Sequence, residues 1–142
     1  MPHADSFTFA DPGLSDVTAD VVRRFIDAFQ QKDPTAIPGL VADDCVMEVM
    51  QPAPDGQRVE GYDDNVRFWQ AMVTDSGGTF EIEKVVVCGD RAMNRWRYRF
   101  GPGEHDSVRG VTLIRVRNGK ITEALAYAKT APRTALGQAS HE

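Results

Sequence analysis

The dipeptide Asn118-Gly119 separates two runs in which apolar and polar residues alternate, and no other feature constrains the fold as strongly. The runs are VRGVTLIRVR before it and KITEALAYAKT after it. Asn-Gly is typical of the tight turn that joins two antiparallel strands, because both central positions of that turn need positive φ. Alternation places successive side chains on opposite faces of a strand. The segment therefore predicts a β-hairpin.

Two more alternating runs precede this hairpin. They are TFEIEKVVVC and AMNRWRYRF, and the sequence GDR between them is a tight turn. Four such runs in succession with short connections predict an antiparallel meander.

Helical periodicity dominates the first half of the chain. Apolar residues recur at helical spacing in SDVTADVVRRFIDAFQQKD and in YDDNVRFWQAMV, and DPTAIPGLVADD predicts a short helix between them. The strand CVMEVM follows that short helix. This order predicts an α+β fold, in which a curved, mostly antiparallel sheet wraps around three N-terminal helices and forms a cone with one internal pocket.

The length of 142 residues fits one domain. We predict a flexible N-terminal segment over 1–16, a single domain over 17–130 and a C-terminal tail over 131–142. The net charge of −5 argues against binding to nucleic acid or to an anionic membrane. The N-terminus lacks the features of a secretory signal, and two cysteines without CxxC spacing indicate free thiols, so we expect a cytoplasmic protein.

Motifs for metals and cofactors are missing from the sequence. The three histidines lack metal-ligand spacing. The chain has no GxSxG, Walker or GxGxxG sequence. We therefore predict no metal and no cofactor.

The stretch MNRWRYRF, residues 93–100, combines cationic and aromatic side chains. In a strand, Arg95 and Arg97 point to one face, while Trp96 and Tyr98 point to the other. The residues alone leave three roles open for the arginines: contact with a ligand, internal salt bridges, or a solvated surface.

Three segments resemble the nuclear transport factor 2-like superfamily, and within it the SnoaL-like group. They are VVRRFIDAFQQKDPTAIPGLVADDCVMEV, VEGYDDNVRFW and RGVTLIRVRNGKITEALAY, and the resemblance covers roughly residues 17–130. The superfamily contains ketosteroid isomerases, polyketide cyclases, limonene epoxide hydrolases, dehydratases and non-catalytic members. The resemblance implies the same cone-shaped fold, but it does not select one activity.

The resemblance also implies an orientation for β-strand side chains. It places Met93, Arg95 and Arg97 inside the cone, together with Thr112 and Ala126 on the next two strands. The catalytic residues of the steroid isomerases correspond here to Phe25, Val49 and Thr112, so their chemistry is not expected. Arg97 and Ala126 replace the two acids of the epoxide hydrolases, so that reaction is not expected either.

From this register we predict the site residues. Arg95 and Arg97 would stabilise an oxyanion, and Glu48 is a candidate base or a structural partner of an arginine. The predicted ligand-binding residues are Trp69, Met93, Thr112, Phe25, Val49, Met47 and Ala126.

These residues suggest a small-molecule enzyme of the cyclase, isomerase or dehydratase type, acting on an apolar oxygenated substrate. The alternatives are a non-catalytic binding protein for a small acidic or aromatic ligand, and a dimerisation module with a filled cone.

The same register leaves an apolar convex face. Trp96 and Tyr98 would lie there with Leu113 and Tyr127. Because so apolar a surface is seldom left in water, we expect a homodimer through this face.

Overall fold

A computed structural model describes residues 12–129 of the chain, and its secondary structure follows the predicted order except for an additional short strand at Arg58–Glu60. Helix α1 spans Pro12–Gln31, 3-10 turns follow at Pro34–Ala36 and Pro38–Leu40, and helix α2 spans Tyr62–Thr74. The strands are β1 (Val41–Glu48), β2 (Arg58–Glu60), β3 (Thr79–Cys88), β4 (Arg91–Arg99), β5 (Ser107–Arg117) and β6 (Lys120–Ala128). The predicted α+β class, with helical segments against a curved sheet, is confirmed.

All six strands form one sheet in the order β2-β1-β6-β5-β4-β3. Strands β1 and β6 are parallel, and the other neighbours are antiparallel. The turn between β5 and β6 consists of Asn118, with φ of 52°, and Gly119, with φ of 75°. Both positive φ values are those the hairpin prediction required, so that prediction is confirmed.

Helix α1 begins earlier than the sequence indicated. It starts at Pro12, so residues 12–16 are helical and the predicted flexible segment does not extend to 16. Proline suits the first turn of a helix because its missing N–H would have no intrahelical partner there. The hydroxyl of Ser15 accepts a hydrogen bond of 2.8 Å from the backbone N–H of Gly89, which ties this first turn to the β3–β4 turn. Residues 1–11 and 130–142, including the predicted tail, lie outside the described range.

The core lies between the two helices and one face of the sheet. Trp69 is fully buried there, and its indole N–H donates to the side-chain oxygen of Asn65 over 3.0 Å. The amide nitrogen of Asn65 donates in turn to the carbonyl oxygens of Cys45 and Gly61, at 2.9 and 2.8 Å. Because the side-chain amide of Asn65 and the indole N–H of Trp69 are both paired, α2 is held in a fixed position against β1. Within residues 12–129, neither α-helix combines the length and hydrophobicity that crossing a membrane requires.

Candidate active site

Strand β4 faces the opposite way from the prediction. Trp96 is only 3% exposed and faces the helices, whereas the side chain of Arg95 is 45% exposed on the other side of the sheet. Asn94 is paired with Thr112, and Trp96 with Gly110. Because directly paired residues project to the same face, an inward Thr112 requires an inward Asn94 and Trp96. The prediction that the arginines face into the cone is wrong.

The indole of Trp96 fits against the inner face of the sheet because Gly110, its partner on β5, has no side chain. A Cβ atom at Gly110 would lie 2.5 Å from Cη2 of Trp96, which no packed structure tolerates. The indole N–H donates to the hydroxyl oxygen of Thr112 over 2.9 Å. The large aromatic side chain is therefore both accommodated and hydrogen-bonded in the interior.

The arginines lie on the outer face, by which we mean the sheet face turned away from α1 and α2. Nε of Arg95 lies 3.5 Å from Glu83 and Nε of Arg97 lies 3.9 Å from it, while Nη2 of Arg109 approaches Glu83 to 2.8 Å. The hydrogen bond from Arg109, followed by the charges of Arg109, Arg95 and Arg97, lowers the pKa of the Glu83 carboxyl despite some desolvation. These guanidinium groups have a carboxylate of the protein's own as partner, so an oxyanion-stabilising role inside the cone is excluded for them.

A cavity of about 100 Å³ lies between the helices and the inner face of the sheet. We call it the inner cavity, and its lining is almost entirely apolar. It is lined by Phe25, Ile26, Phe29, Gln30, Met47, Val49, Met50, Met72, Phe80, Ile82, Asn94, Trp96, Thr112 and Ala126. Five of the predicted ligand-binding residues, Phe25, Met47, Val49, Thr112 and Ala126, are brought together here.

Three other predicted residues do not line the inner cavity. Trp69 lies in the core behind Phe25, with ring centroids 5.3 Å apart. Met93 is on the outer face, because successive residues of β4 face opposite ways and the neighbouring Asn94 faces inward. Glu48 lies outside the cavity and accepts a hydrogen bond of 3.0 Å from Nη1 of Arg58. The structural role considered for Glu48 is therefore the one observed, although its partner is not Arg95 or Arg97.

Aromatic rings form one wall of the inner cavity. Phe29 lies edge-on to Phe25 and to Phe80, with centroids at 5.0 and 5.9 Å, and Phe80 lies edge-on to Trp96 at 5.2 Å. Such edge-to-face pairs stabilise one another beyond the area they bury. The sequence offered little to identify Phe80 as a lining residue, since it stands at the start of a strand whose register was not fixed.

Apart from the indole N–H of Trp96, the polar side-chain groups in the lining belong to Gln30, Asn94 and Thr112. Asn94 is 4% exposed, and its side-chain oxygen has no hydrogen-bond partner among the described residues. Sequence reasoning missed Asn94, because it lies on the face that was assigned outward. Asn94 pairs with Thr112, which was correctly predicted to face inward, so this pairing would have identified Asn94 as a lining residue.

A wider space adjoins the inner cavity, and we call it the mouth. It measures about 420 Å³ and shares Phe29, Gln30, Met50, Met72 and Phe80 with the inner cavity. Its other lining residues include Lys32, Asp75 and Tyr98. The Lys32 ammonium donates to the backbone oxygens of Asp75 and Gly78, at 2.7 and 3.2 Å. Charged groups thus occur at the mouth but not in the inner cavity.

The ionisable side chains that line the mouth are those of Lys32, Asp75 and Tyr98. Partial burial, and then the charge of Asp75, raise the pKa of the Tyr98 phenol, so this group is a donor at neutral pH. Residues 12–129 contain no cluster of three or more His, Cys, Asp or Glu side chains that could bind a metal ion.

Comparison with known proteins agrees with this architecture. A sequence profile of the SnoaL-like domain matches residues 22–124. An NTF2-like protein of unknown function from Mesorhizobium loti is 48% identical, with a TM-score of 0.77 over 82% of this chain and 93% of that chain. An LEH-like epoxide hydrolase from M. tuberculosis is 19% identical, with a TM-score of 0.66 over 84% of this chain and 83% of that one, a likeness of fold alone. No curated protein matches the chain.

The profile match covers most of the chain, and the Mesorhizobium loti protein combines high identity with high coverage. This chain therefore belongs to the SnoaL-like domain family, with an NTF2-like fold.

Proposed function

We propose that the protein binds a small, neutral, apolar molecule in the inner cavity. The observation that carries this proposal is the composition of the lining: none of its residues is Asp, Glu, His, Lys or Arg. Acid–base catalysis needs a titratable group within hydrogen-bond reach of the reacting atoms. The inner cavity has no such group, so binding without turnover is the function its geometry supports best.

The lining also selects for an uncharged ligand. A buried carboxylate without a charged partner is strongly disfavoured, because it loses its hydration and gains nothing equivalent. The arginines that could have paired with a ligand carboxylate lie on the outer face beside Glu83. Of the ligands considered from the sequence, the structure thus favours the aromatic kind over the acidic kind.

The volume of the inner cavity suits one small ring. Engineered apolar cavities of about 150 Å³ bind benzene, and the inner cavity of about 100 Å³ opens towards a mouth of about 420 Å³. Met47, Met50 and Met72 lie along the lining, and methionine adapts its shape readily to a ligand. This empty space argues against the filled-cone alternative.

A thermal-shift comparison tests the binding function. Toluene should raise the unfolding midpoint, because a ligand that binds the native state stabilises it by mass action, and benzoate should not. Ala126→Leu places a larger side chain in the cavity and should remove the toluene shift. Ala71→Leu, at an exposed position on α2, is the matched control and should keep it. The proposal is wrong if no neutral probe shifts the wild type, or if Ala126→Leu responds as fully as the control.

A second candidate is a small-molecule enzyme of the cyclase or isomerase type, with its chemistry at the mouth. The Tyr98 hydroxyl has no hydrogen-bond partner among the described residues, and its raised pKa keeps it able to donate to a developing oxyanion. Asp75 is the carboxylate in the lining of the mouth, although its Oδ1 already accepts from the Gly77 N–H over 2.9 Å. Turnover of an enolisable ketone that disappears in Tyr98→Phe would favour this candidate.

We also propose a homodimer through the outer face. Tyr127 is 55% exposed, Val86 42% and Leu113 41%, and together they form an apolar surface. Of the four residues predicted for this interface, Leu113 and Tyr127 lie on the outer face. Trp96 is in the interior and Tyr98 is at the mouth, so neither contributes.

A further inference from the structure

We infer that the ligand of the inner cavity carries a hydroxyl group, which binds between Asn94 and Thr112. This inference rests on the proposed binding function and narrows its ligand to apolar alcohols and phenols. It follows from the hydrogen-bonding capacity that the two side chains leave unused.

Asn94 supplies an acceptor. Its residue is 4% exposed, it lines the inner cavity, and its Oδ1 has no partner among the described residues. A buried carbonyl oxygen without a hydrogen bond is costly, and native structures seldom contain one. An amide oxygen can only accept, so the group that completes it must be a donor.

Thr112 supplies a donor. Its hydroxyl oxygen accepts from the indole N–H of Trp96 over 2.9 Å, which fixes the position of that oxygen. A hydroxyl has one proton of its own to donate, and no described residue accepts it. Trp96 cannot accept it, because the indole nitrogen is a donor only. The proton is therefore free to be directed towards the cavity.

The two side chains lie directly opposite each other on β4 and β5. Directly paired residues have Cβ atoms about 4.5–5.5 Å apart, so one small group can reach both. A ligand hydroxyl donates one hydrogen bond and accepts others, which matches an acceptor at Asn94 and a donor at Thr112. An ether or a ketone cannot donate to Asn94, and a carboxylate would place its charge against an acceptor.

The rest of the lining fixes the character of the ligand beyond its hydroxyl. The rings of Phe80 and Trp96 and the side chain of Met47 line the same cavity as the polar pair and give it apolar surface. A ligand with a second polar group would have to bury that group without a partner in this part of the cavity. Phenol and its apolar derivatives are the simplest molecules that fit these requirements.

Calorimetric titration with phenol, toluene and anisole tests the inference. Phenol and toluene have nearly the same shape, and anisole can accept a hydrogen bond but cannot donate one. In Asn94→Leu, phenol affinity relative to toluene should fall roughly five- to tenfold, the effect of one hydrogen bond, while anisole affinity relative to toluene should not change. Thr112→Ala should reduce phenol affinity similarly, and Thr112→Ser, which keeps the hydroxyl, should restore it.

The outcomes separate this inference from the proposed function. If toluene binds but phenol gains nothing from Asn94, the hydroxyl site is wrong and the apolar binding function stands. If anisole depends on Asn94 as strongly as phenol does, the free group is the amide N–H, and the inference is again wrong. If no probe binds, both proposals fall. Should Asn94→Leu not fold, the Asn94 side-chain amide resonances of the wild type must shift more with phenol than with toluene.

Discussion

Arg97 and Arg109 lie directly opposite each other on β4 and β5, and Glu83 on β3 contacts both of them. Two like charges in a cross-strand pair normally destabilise a sheet. Here β3 has an irregularity between Ile82 and Lys84, and Glu83 is the residue at that position. The Glu83 side chain is only 24% exposed, and its carboxylate also lies near Arg95, so this one anion lies among three cations on the outer face.

Removing this carboxylate should therefore destabilise the sheet. We expect Glu83→Gln to lower the unfolding midpoint by a few degrees, because Arg97 and Arg109 would then face each other without an anion between them. The matched control is Glu81→Gln, since Arg99 is the one cation among the described residues with which Glu81 forms an ion pair, and Glu81 is 52% exposed. Scanning calorimetry at low salt should show a larger decrease for Glu83→Gln, and high salt should reduce the difference by screening. Equal effects of the two variants would contradict this account.

The same carboxylate predicts a pH dependence. Its pKa is lowered below the ordinary 4.5, chiefly by the hydrogen bond from Arg109. A carboxyl with a depressed native pKa stabilises the fold fully above its unfolded pKa, and this contribution is lost as the pH falls through the native value. The midpoint difference between wild type and Glu83→Gln should accordingly be constant above about pH 4.5 and shrink below it. A difference that persists unchanged into strong acid would exclude this origin.

The sequence identified the fold class and much of the cavity, but it misassigned one strand. The inward direction of Thr112 and Ala126 followed from the family resemblance, and both residues line the inner cavity. The Asn118-Gly119 turn alone does not give it, because the register between β5 and β6 shifts between Arg115 and Val116. The connection between β4 and β5, residues 100–106, is longer than the two-residue Asn118-Gly119 turn. Nothing local therefore fixed the register of β4.

A slip of one residue along a strand moves every side chain to the other face. The orientation implied by the family resemblance was wrong by one residue on β4. It placed Arg95 and Arg97 on the inner face, where the structure has Asn94 and Trp96. Two physical signals opposed it: arginine is rarely buried, and Gly110 on the partner strand leaves room for a large aromatic side chain. Neither signal is strong alone, but together they indicate the observed register.

The substitution Gly110→Ala should disrupt the packing of Trp96 in the lining of the inner cavity. A Cβ at this position would lie 2.4 Å from the backbone oxygen of Tyr127 and 2.5 Å from Trp96. Since the backbone cannot yield cheaply, we expect a loss of about 1–3 kcal/mol in the free energy of unfolding, measured with urea. Gly39→Ala is the matched control, because nothing lies within 4 Å of its added methyl group, and it should change stability by less than about 0.5 kcal/mol. If Gly110→Ala leaves the free energy of unfolding unchanged, the Trp96 side chain does not pack against Gly110.

The two thiols should differ sharply in reactivity. Cys45 is fully buried, and burial, followed by the charges of Asp44 and Glu123, raises its pKa to about 12. At pH 8 only about one Cys45 thiol in ten thousand would be ionised, and the thiolate is the reactive form. Iodoacetamide should therefore label exposed Cys88 alone in the native protein and both cysteines in urea. Mass spectrometry of the digested protein checks this, and native labelling of Cys45 at the rate of Cys88 would contradict it.

The proposed dimer should depend on the apolar part of the outer face. Light scattering of the wild type should give twice the chain mass of 15.7 kDa. Leu113→Glu should give a monomer, because the carboxylate would be buried without a partner in an interface that repeats itself about a two-fold axis. Val17→Glu is the matched control, since Val17 is an exposed apolar residue on α1, at 46% exposure against 41% for Leu113. A dimer that survives Leu113→Glu, or that Val17→Glu dissociates equally, would show that the two chains meet through another surface.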